Sequence, residues 1–191
     1  MKYLFVTFLC LSLVFLGLYV SSYYSNLGYR EMMRKRVIGD AAYYAYWAHV
    51  YIDFTIQQLN ASPPSMSRAM LWWGEAESHL NALERLLFYY LGNPQIVELK
   101  LLESSVNQDA GSICLKMSGT LSKLSKKLHL LMDLDLTNRS EIKYSISLLG
   151  NLSSILYDLH LRFDYEYDRS APKPPSLIDI LARLEALSAE V

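Results

Sequence analysis

The chain has 191 residues, of which 52% are hydrophobic, and a formal net charge of −1 from 18 basic and 19 acidic residues. This hydrophobic fraction is enough for a folded core and excludes wholesale disorder, and the length suits a single domain with a short appendage. The balanced charge excludes a nucleic-acid-binding protein that depends on an excess of positive charge.

The first element is the uncharged run Tyr3–Val20, which follows a single basic residue, Lys2. A run of about 20 apolar residues matches the thickness of a lipid bilayer. Tyrosines of the kind found in interfacial aromatic belts follow it, at Tyr19, Tyr23, Tyr24 and Tyr29. A cleaved signal peptide, cut near Ser21-Ser22, is the alternative. We expect a retained single-pass membrane anchor over residues 1–26, because the run is longer than the apolar region of a usual signal peptide.

The orientation of this anchor is indicated by conflicting signals. The basic run Arg34-Lys35-Arg36 follows the anchor and favours a cytoplasmic domain under the positive-inside rule. The early position of the anchor favours translocation of the domain that comes after it. Asn-x-Ser sequons favour translocation as well, at Asn60, Asn138 and Asn151. We expect the domain on the extracytoplasmic side.

Beyond the anchor, apolar residues recur at alternating steps of three and four, which is typical of amphipathic helices. The first such stripe runs from Val37 to Leu59 and ends before Pro63-Pro64, since paired prolines cannot continue a helix. The second runs from Met66 to Tyr90. It ends at Gly92, a residue favoured just beyond helix C-termini.

Two further long stripes and one short one come next along the chain. The third stripe holds its phase from Ile96 to Leu131, which predicts one long helix through Gly111. The fourth runs from Ile142 to Tyr167, and Asn138 with Glu141 resembles a capping box at its start. The proline-rich residues 170–175 predict a stiff linker. The last segment, residues 176–191, predicts a short amphipathic helix with Ser176 and Asp179 at its N-terminus.

Four long helices joined by short loops predict antiparallel neighbours, and the near-heptad spacing suits the shallow crossing of coiled-coil-like bundles. The predicted fold is therefore all-α. It comprises an N-terminal transmembrane helix, an up-down-up-down four-helix bundle over residues 27–169, and the short extra C-terminal helix.

The histidines come one per predicted long helix, at His49, His79, His129 and His160. A bundle with these loops places His129 more than about 20 Å from the others along the axis, and His49 is predicted to face away from the core. The Glu-x-x-His motif of di-iron bundles does not occur. Gly-x-Ser-x-Gly, a glycine-rich phosphate loop and a recognisable serine, histidine and acidic cluster do not occur either. We expect no metal, no cofactor and no catalysis.

Aromatic residues supply the one suggestive pattern. The first helix carries a second apolar line beside its core stripe, at Tyr43, Trp47, Val50 and Phe54, and the second helix adds Trp72 and Trp73. Two interpretations stay open: a core edge covered by the fifth helix, or an exposed face for a partner or an oligomer. The candidate partner-binding or ligand-binding residues are Tyr43, Trp47, Phe54, Trp72 and Trp73.

These features predict a non-enzymatic, membrane-anchored helical bundle that binds or assembles with another protein, or with itself, at the membrane surface. The chain is also expected to contact the lipid bilayer, through Tyr3–Val20. The alternative is an extracytoplasmic, sensor-like bundle that holds a small apolar or aromatic ligand between its helices. In that case Tyr44, Tyr51 and Trp73 would line the ligand site.

Overall fold

A computed structural model of the chain describes residues 2–93, 110–133, 139–168 and 172–191, with side chains from residue 12 onward. These residues form five α-helices: α1 (Lys2–Leu59), α2 (Met66–Leu86), α3 (Ala110–Asp133), α4 (Arg139–Tyr167) and α5 (Leu177–Glu190). A π-helical turn, Leu87–Leu91, extends α2. No strand occurs among the described residues, so the predicted all-α class is confirmed.

The first helix, α1, is continuous over 58 residues, which corresponds to a length of about 87 Å. Every described side chain from residue 12 to Met32 is exposed, and the helix enters the core of the bundle at Val37. The predicted boundary between residues 26 and 27 therefore falls inside one unbroken helix. The first apolar segment and the bundle share a single helical axis.

Within the described ranges, no helix is both long enough and apolar enough to cross a bilayer. The predicted anchor Tyr3–Val20 lies partly outside this set, because the side chains of residues 1–11 are not described. The membrane-spanning helix stays a prediction.

The helices pack in a ring. Helix α1 contacts α2 and α4, α2 contacts α3, and α5 contacts both α3 and α4. Contacts between α2 and α3 run in opposite residue order, since Glu77 faces His129 and Gly92 faces Leu115. Helices α2 and α3 are therefore antiparallel. Helix α5 lies between α3 and α4, which a simple four-helix bundle would make direct neighbours.

Helix α5 is built into the core of this ring. Its buried residues follow the predicted stripe: Leu177, Ile180, Leu181, Leu184 and Leu187. The predicted N-terminal pair forms a complete capping box, in which the Ser176 hydroxyl accepts from the Asp179 amide at 3.1 Å. The short helix is therefore a fifth member of the bundle.

The predicted core stripes are buried along most of their lengths. The predicted burial is wrong for the last residue of two stripes. Tyr90 is exposed and Leu91 is buried, because the π-helical turn adds a residue and shifts the phase of the stripe. Tyr167 is exposed as well, and α4 instead buries Glu166 against Arg162, with 3.1 Å between the carboxylate and the guanidinium.

Three predicted features lie outside the described residues in whole or in part. They are the first half of the predicted third helix (94–109), the Asn138 cap, and the start of the proline-rich linker (170–171). The described part of α3 begins at Ala110. From there the predicted stripe is buried at Ile113 and continues to Leu128.

Candidate functional site

The core face of α1 is made of small residues. Between the buried Ile38 and Ile52, the other buried side chains are all alanines: Ala41, Ala42, Ala45 and Ala48. Small side chains let α2 and α4 pack close to the α1 backbone. The large aromatic residues of this helix therefore lie on its flanks and on its outer surface.

The second apolar line of α1 lies on the surface of the bundle. Tyr43 is 53% exposed and Phe54 is 36% exposed, while Trp47 and Val50 between them are half-buried. Helix α5 contacts α3 and α4 on the other side of the ring, so it does not cover this line. The outer surface of α1 is aromatic where a helix facing water is normally polar.

On the flank towards α2, the aromatic rings form one continuous group. The Tyr51 ring lies between Trp72, at 5.8 Å and 16° between planes, and His79, at 5.3 Å and 18°. Phe54 contacts Trp72 at 5.2 Å. We call this group the aromatic cluster; its members are Tyr43, Tyr44, Trp47, Tyr51, Phe54, Trp72 and His79.

The aromatic cluster brings together four of the five candidate residues: Tyr43, Trp47, Phe54 and Trp72. Trp73 does not join them. Consecutive helical residues point about 100° apart, and Trp73 points into the core, where it is 1% exposed. Its indole Nε1 is buried and has no hydrogen-bond partner among the described residues. Sequence periodicity placed Trp73 in the core stripe as well as among the candidates, and the core position is the observed one.

His79 contributes a neutral ring to the aromatic cluster. Burial lowers the pKa of His79, and the nearby Glu75 carboxylate opposes that shift to a smaller extent. At neutral pH the imidazole is therefore uncharged and packs as another aromatic ring. The cluster presents an apolar surface whose polar atoms sit at the tips of tyrosines.

The opposite flank of α1, towards α4, is polar. Ser153 Oγ donates to Asp53 Oδ1 at 2.6 Å and accepts from His49 Nδ1 at 2.6 Å. The His49 ring also lies 5.1 Å from Tyr157. The prediction that His49 faces away from the bundle is wrong, and sequence reasoning missed this cluster of serine, histidine and aspartate.

This polar cluster joins two helices and lacks the geometry of a catalytic triad. In a triad the serine hydroxyl donates its proton to the histidine that will act as general base. Here the Ser153 hydroxyl lies 2.6 Å from the Asp53 carboxylate as well as 2.6 Å from His49 Nδ1, so it is shared between the two instead of facing the histidine alone. The hydrogen bonds fix α1 against α4.

The other two histidines have separate partners. His129 Nδ1 lies 3.1 Å from a Glu77 carboxylate oxygen between α3 and α2. Glu77 is two residues from His79, so the prediction that His129 lies far along the axis from His79 is wrong. His160 Nδ1 lies 3.2 Å from the Ala42 carbonyl oxygen. Across the part of the chain that the structure describes, no three His, Cys, Asp or Glu side chains come close enough to hold one metal ion.

Two clefts lie away from the aromatic cluster. One, of about 200 Å³, lies between α4 and α5 beside Ser154 and Arg183. The other, of about 550 Å³, lies beside the α1–α2 turn and is lined by Asn60, Pro64 and Arg139, among others. Neither cleft is lined by the residues predicted to hold a small ligand: Tyr44, Tyr51 and Trp73.

Comparison with known protein families, with curated proteins and with solved structures finds no match to this chain.

Proposed function

We propose that this chain is a non-enzymatic, membrane-anchored helical bundle that binds another protein at the membrane surface through the outer face of α1. The observation that carries the proposal is the exposed aromatic line of α1, with Tyr43 and Phe54 at its ends and Trp47 between them. Tyrosine and tryptophan are enriched at protein interfaces, where they supply large contact areas at low entropic cost.

The packing of the aromatic cluster supports a binding role. Tyr51 is held between two rings, and Trp47 contacts both Tyr43 and Tyr51. Such side chains lose little freedom when a partner covers them. Leu71 of α2, the residue before Trp72, is exposed as well.

The anchor in this proposal is the first part of α1. The exposed apolar residues there surround the helix on all sides: Leu13, Val14, Phe15, Leu16, Leu18, Tyr19 and Val20. A helix that is apolar all round needs a cover of lipid or protein. We assign that cover to the bilayer, with the bundle on the extracytoplasmic side. Because α1 is unbroken, Tyr43 would lie about 35 Å from the membrane edge at Val20.

Photo-crosslinking in the native cells tests the binding face. A benzoylphenylalanine at Tyr43 is expected to form a covalent adduct with a protein, because the side chain lies on the proposed face. The same group at Tyr89, which is similarly exposed but lies at the end of α2, is the matched control and is expected to give none. Absence of an adduct at Tyr43, or equal adducts at both positions, would contradict the proposed binding face.

Membrane extraction tests the anchor. The full chain is expected to float with vesicles and to resist alkaline carbonate. The double substitution Leu13→Arg and Leu16→Arg should release it, since each arginine at the centre of a spanning helix costs about 3 kcal/mol. Leu71→Arg, an exposed leucine of the bundle, should leave it bound. The side of the membrane is tested with a tag fused after Val191. The tag is expected to be accessible from outside intact cells, because the bundle is proposed to be extracytoplasmic. Carbonate release of the unchanged chain would overturn the anchor.

A further inference from the structure

We propose that the partner of the outer face of α1 is a second copy of this chain, bound in a parallel, two-fold symmetric pair. This inference rests on the proposed function and names its partner. It depends on the length of the exposed line, on two charged residues within it, and on the continuity of α1.

The exposed line continues from the bundle towards the N-terminus with unbroken helical spacing. We call it the α1 face; its members are Tyr29, Met32, Arg36, Asp40, Tyr43, Trp47, Val50 and Phe54. Their steps of three and four give a strip about 38 Å long, and this spacing suits two helices that cross at a shallow angle. Helices α2 and α4 pack on the other sides of α1, and every member of the strip is exposed except Trp47 and Val50, which are half-buried.

Two opposite charges sit in the middle of this apolar strip, one helical turn apart. Arg36 and Asp40 are both exposed, and neither forms an ion pair among the described residues. Nearby Arg34 behaves differently, because its guanidinium binds Glu31 at 2.7 Å and that hydrogen bond raises the pKa of Arg34. Arg36 and Asp40 therefore keep their charges available for a partner.

A second copy supplies the complementary charges by symmetry. In a parallel pair, Arg36 of one copy lies one turn from Asp40 of the other, about 6 Å along the axis and within reach of an arginine side chain. The two-fold axis repeats this contact. The Arg36 and Asp40 side chains of the two copies therefore form a group of four charges that alternate in sign around the axis. A two-fold interface must be self-complementary, and this arrangement meets that requirement without any further residue.

The continuity of α1 determines the direction of pairing. Two copies anchored in one membrane have their N-termini on the same side, and a single helix from Lys2 to Leu59 carries that direction into the bundle. Each aromatic residue then meets its own counterpart, so that Tyr43 packs on Tyr43 and Phe54 on Phe54. Rings stacked in this way add contact area along the strip.

Cysteine crosslinking of the full chain tests the parallel pair. In a Cys10→Ser background, Val50→Cys and Phe54→Cys should each give an oxidised dimer, since parallel symmetry brings identical positions within disulfide distance. Leu130→Cys, exposed on α3 across the ring, is the control and should stay monomeric. Absence of both dimers would overturn the inference. So would an antiparallel pattern, in which Tyr29→Cys and Trp47→Cys crosslink only when mixed.

A charge swap tests the contact without removing any aromatic ring. Arg36→Glu or Asp40→Arg alone places four like charges around the axis, and each should weaken the dimer about tenfold, the effect of losing two exposed ion pairs of typical strength. The double variant restores alternation and should recover the original dissociation constant within about threefold. Dimer affinity in detergent is measured by analytical ultracentrifugation. A double variant as weak as the single ones would overturn the contact.

The mass of the photo-crosslinked adduct at Tyr43 separates this inference from the proposed function. An adduct of twice the 21.9 kDa chain mass supports the second copy. An adduct of another mass keeps the binding face and overturns the dimer. Absence of any adduct overturns both.

Discussion

The two faces of α1 invert the usual distribution of side-chain size. The face towards the bundle carries alanines, such as Ala45 and Ala48, between the larger Ile38 and Ile52. The face away from it carries Tyr43, Trp47 and Phe54. Both faces follow the same helical period, so periodicity alone identifies two apolar lines and only size separates them. Close packing needs small residues, while a binding face gains most from large ones.

This comparison separates stability from binding. If the inner face holds the bundle together and the outer face binds a partner, substitutions on the two faces should affect different measurements. Inner substitutions should lower the free energy of unfolding. Outer substitutions should change association more than folding. The expected loss of stability decreases from truncation of the inner face to substitutions on the two flanks.

Truncation on the inner face should have the largest effect. Ile52→Ala removes a fully buried side chain and should cost about 2–5 kcal/mol of unfolding free energy, because it leaves a cavity between α1 and its neighbours. Phe54→Ala on the outer face should cost about 1 kcal/mol, because the ring is already partly exposed. Urea unfolding of the full chain in a mild detergent measures both. A larger loss for Phe54→Ala would mean that the faces are assigned the wrong way round.

Enlargement on the inner face should have the next largest effect. Ala45 is fully buried, and Ala45→Leu should cost about 1–3 kcal/mol because α2 or α4 must move to make room. Gln57→Leu, exposed on the outer face of the same helix, is the matched control and should change stability by less than about 0.5 kcal/mol. Equal melting temperatures for the two variants would show that the alanine face is not tightly packed.

Much of this fold could be predicted from single-helix patterns. The step of three and four residues predicts the core stripes, and the Ser176 and Asp179 pair predicts the start of α5. These features depend on residues within one or two turns of each other. The predicted burial of Tyr90 is wrong because a π-helical turn shifts the phase of the stripe there. The local sequence pattern does not indicate that turn.

The features that could not be predicted depend on contacts between distant segments. The Ser153 hydroxyl meets His49 across 104 positions of sequence, and this contact depends on the register between α1 and α4. No single-helix period contains that register, since it is set by how the two core faces fit together. The sequence pattern also does not predict that α5 lies between α3 and α4. The linker before α5 limits how far this helix can lie from α4, but it does not determine on which side of α4 it packs.

The two flanks of α1 give a smaller contrast, between polar and aromatic packing. Ser153→Ala removes the hydroxyl that joins Asp53 to His49 and should cost about 1 kcal/mol, since both partners are partly exposed and can bind water instead. Ser147→Ala, an exposed position of the same helix, is the control and should cost little. Thermal melts compare the two variants. Equal stability would show that the polar flank does not hold α4 in place.

The aromatic flank should show the smallest effect, and it should appear only as a change in pH dependence. Burial lowers the pKa of His79, so the unfolded chain binds a proton more readily than the folded one. The stabilising contribution of His79 is therefore fully present above the unfolded pKa, near 6.5, and declines as the pH falls through that value towards the lower folded pKa. His79→Phe keeps a ring against Tyr51 and removes the titration.

Between pH 7.5 and pH 5.5, the variant should lose less unfolding free energy than the unchanged chain. The difference should be small because the imidazole is only partly buried and water weakens the shift. An unchanged pH slope would place the titration on another group, and a steeper slope would show that the imidazole is charged in the folded state.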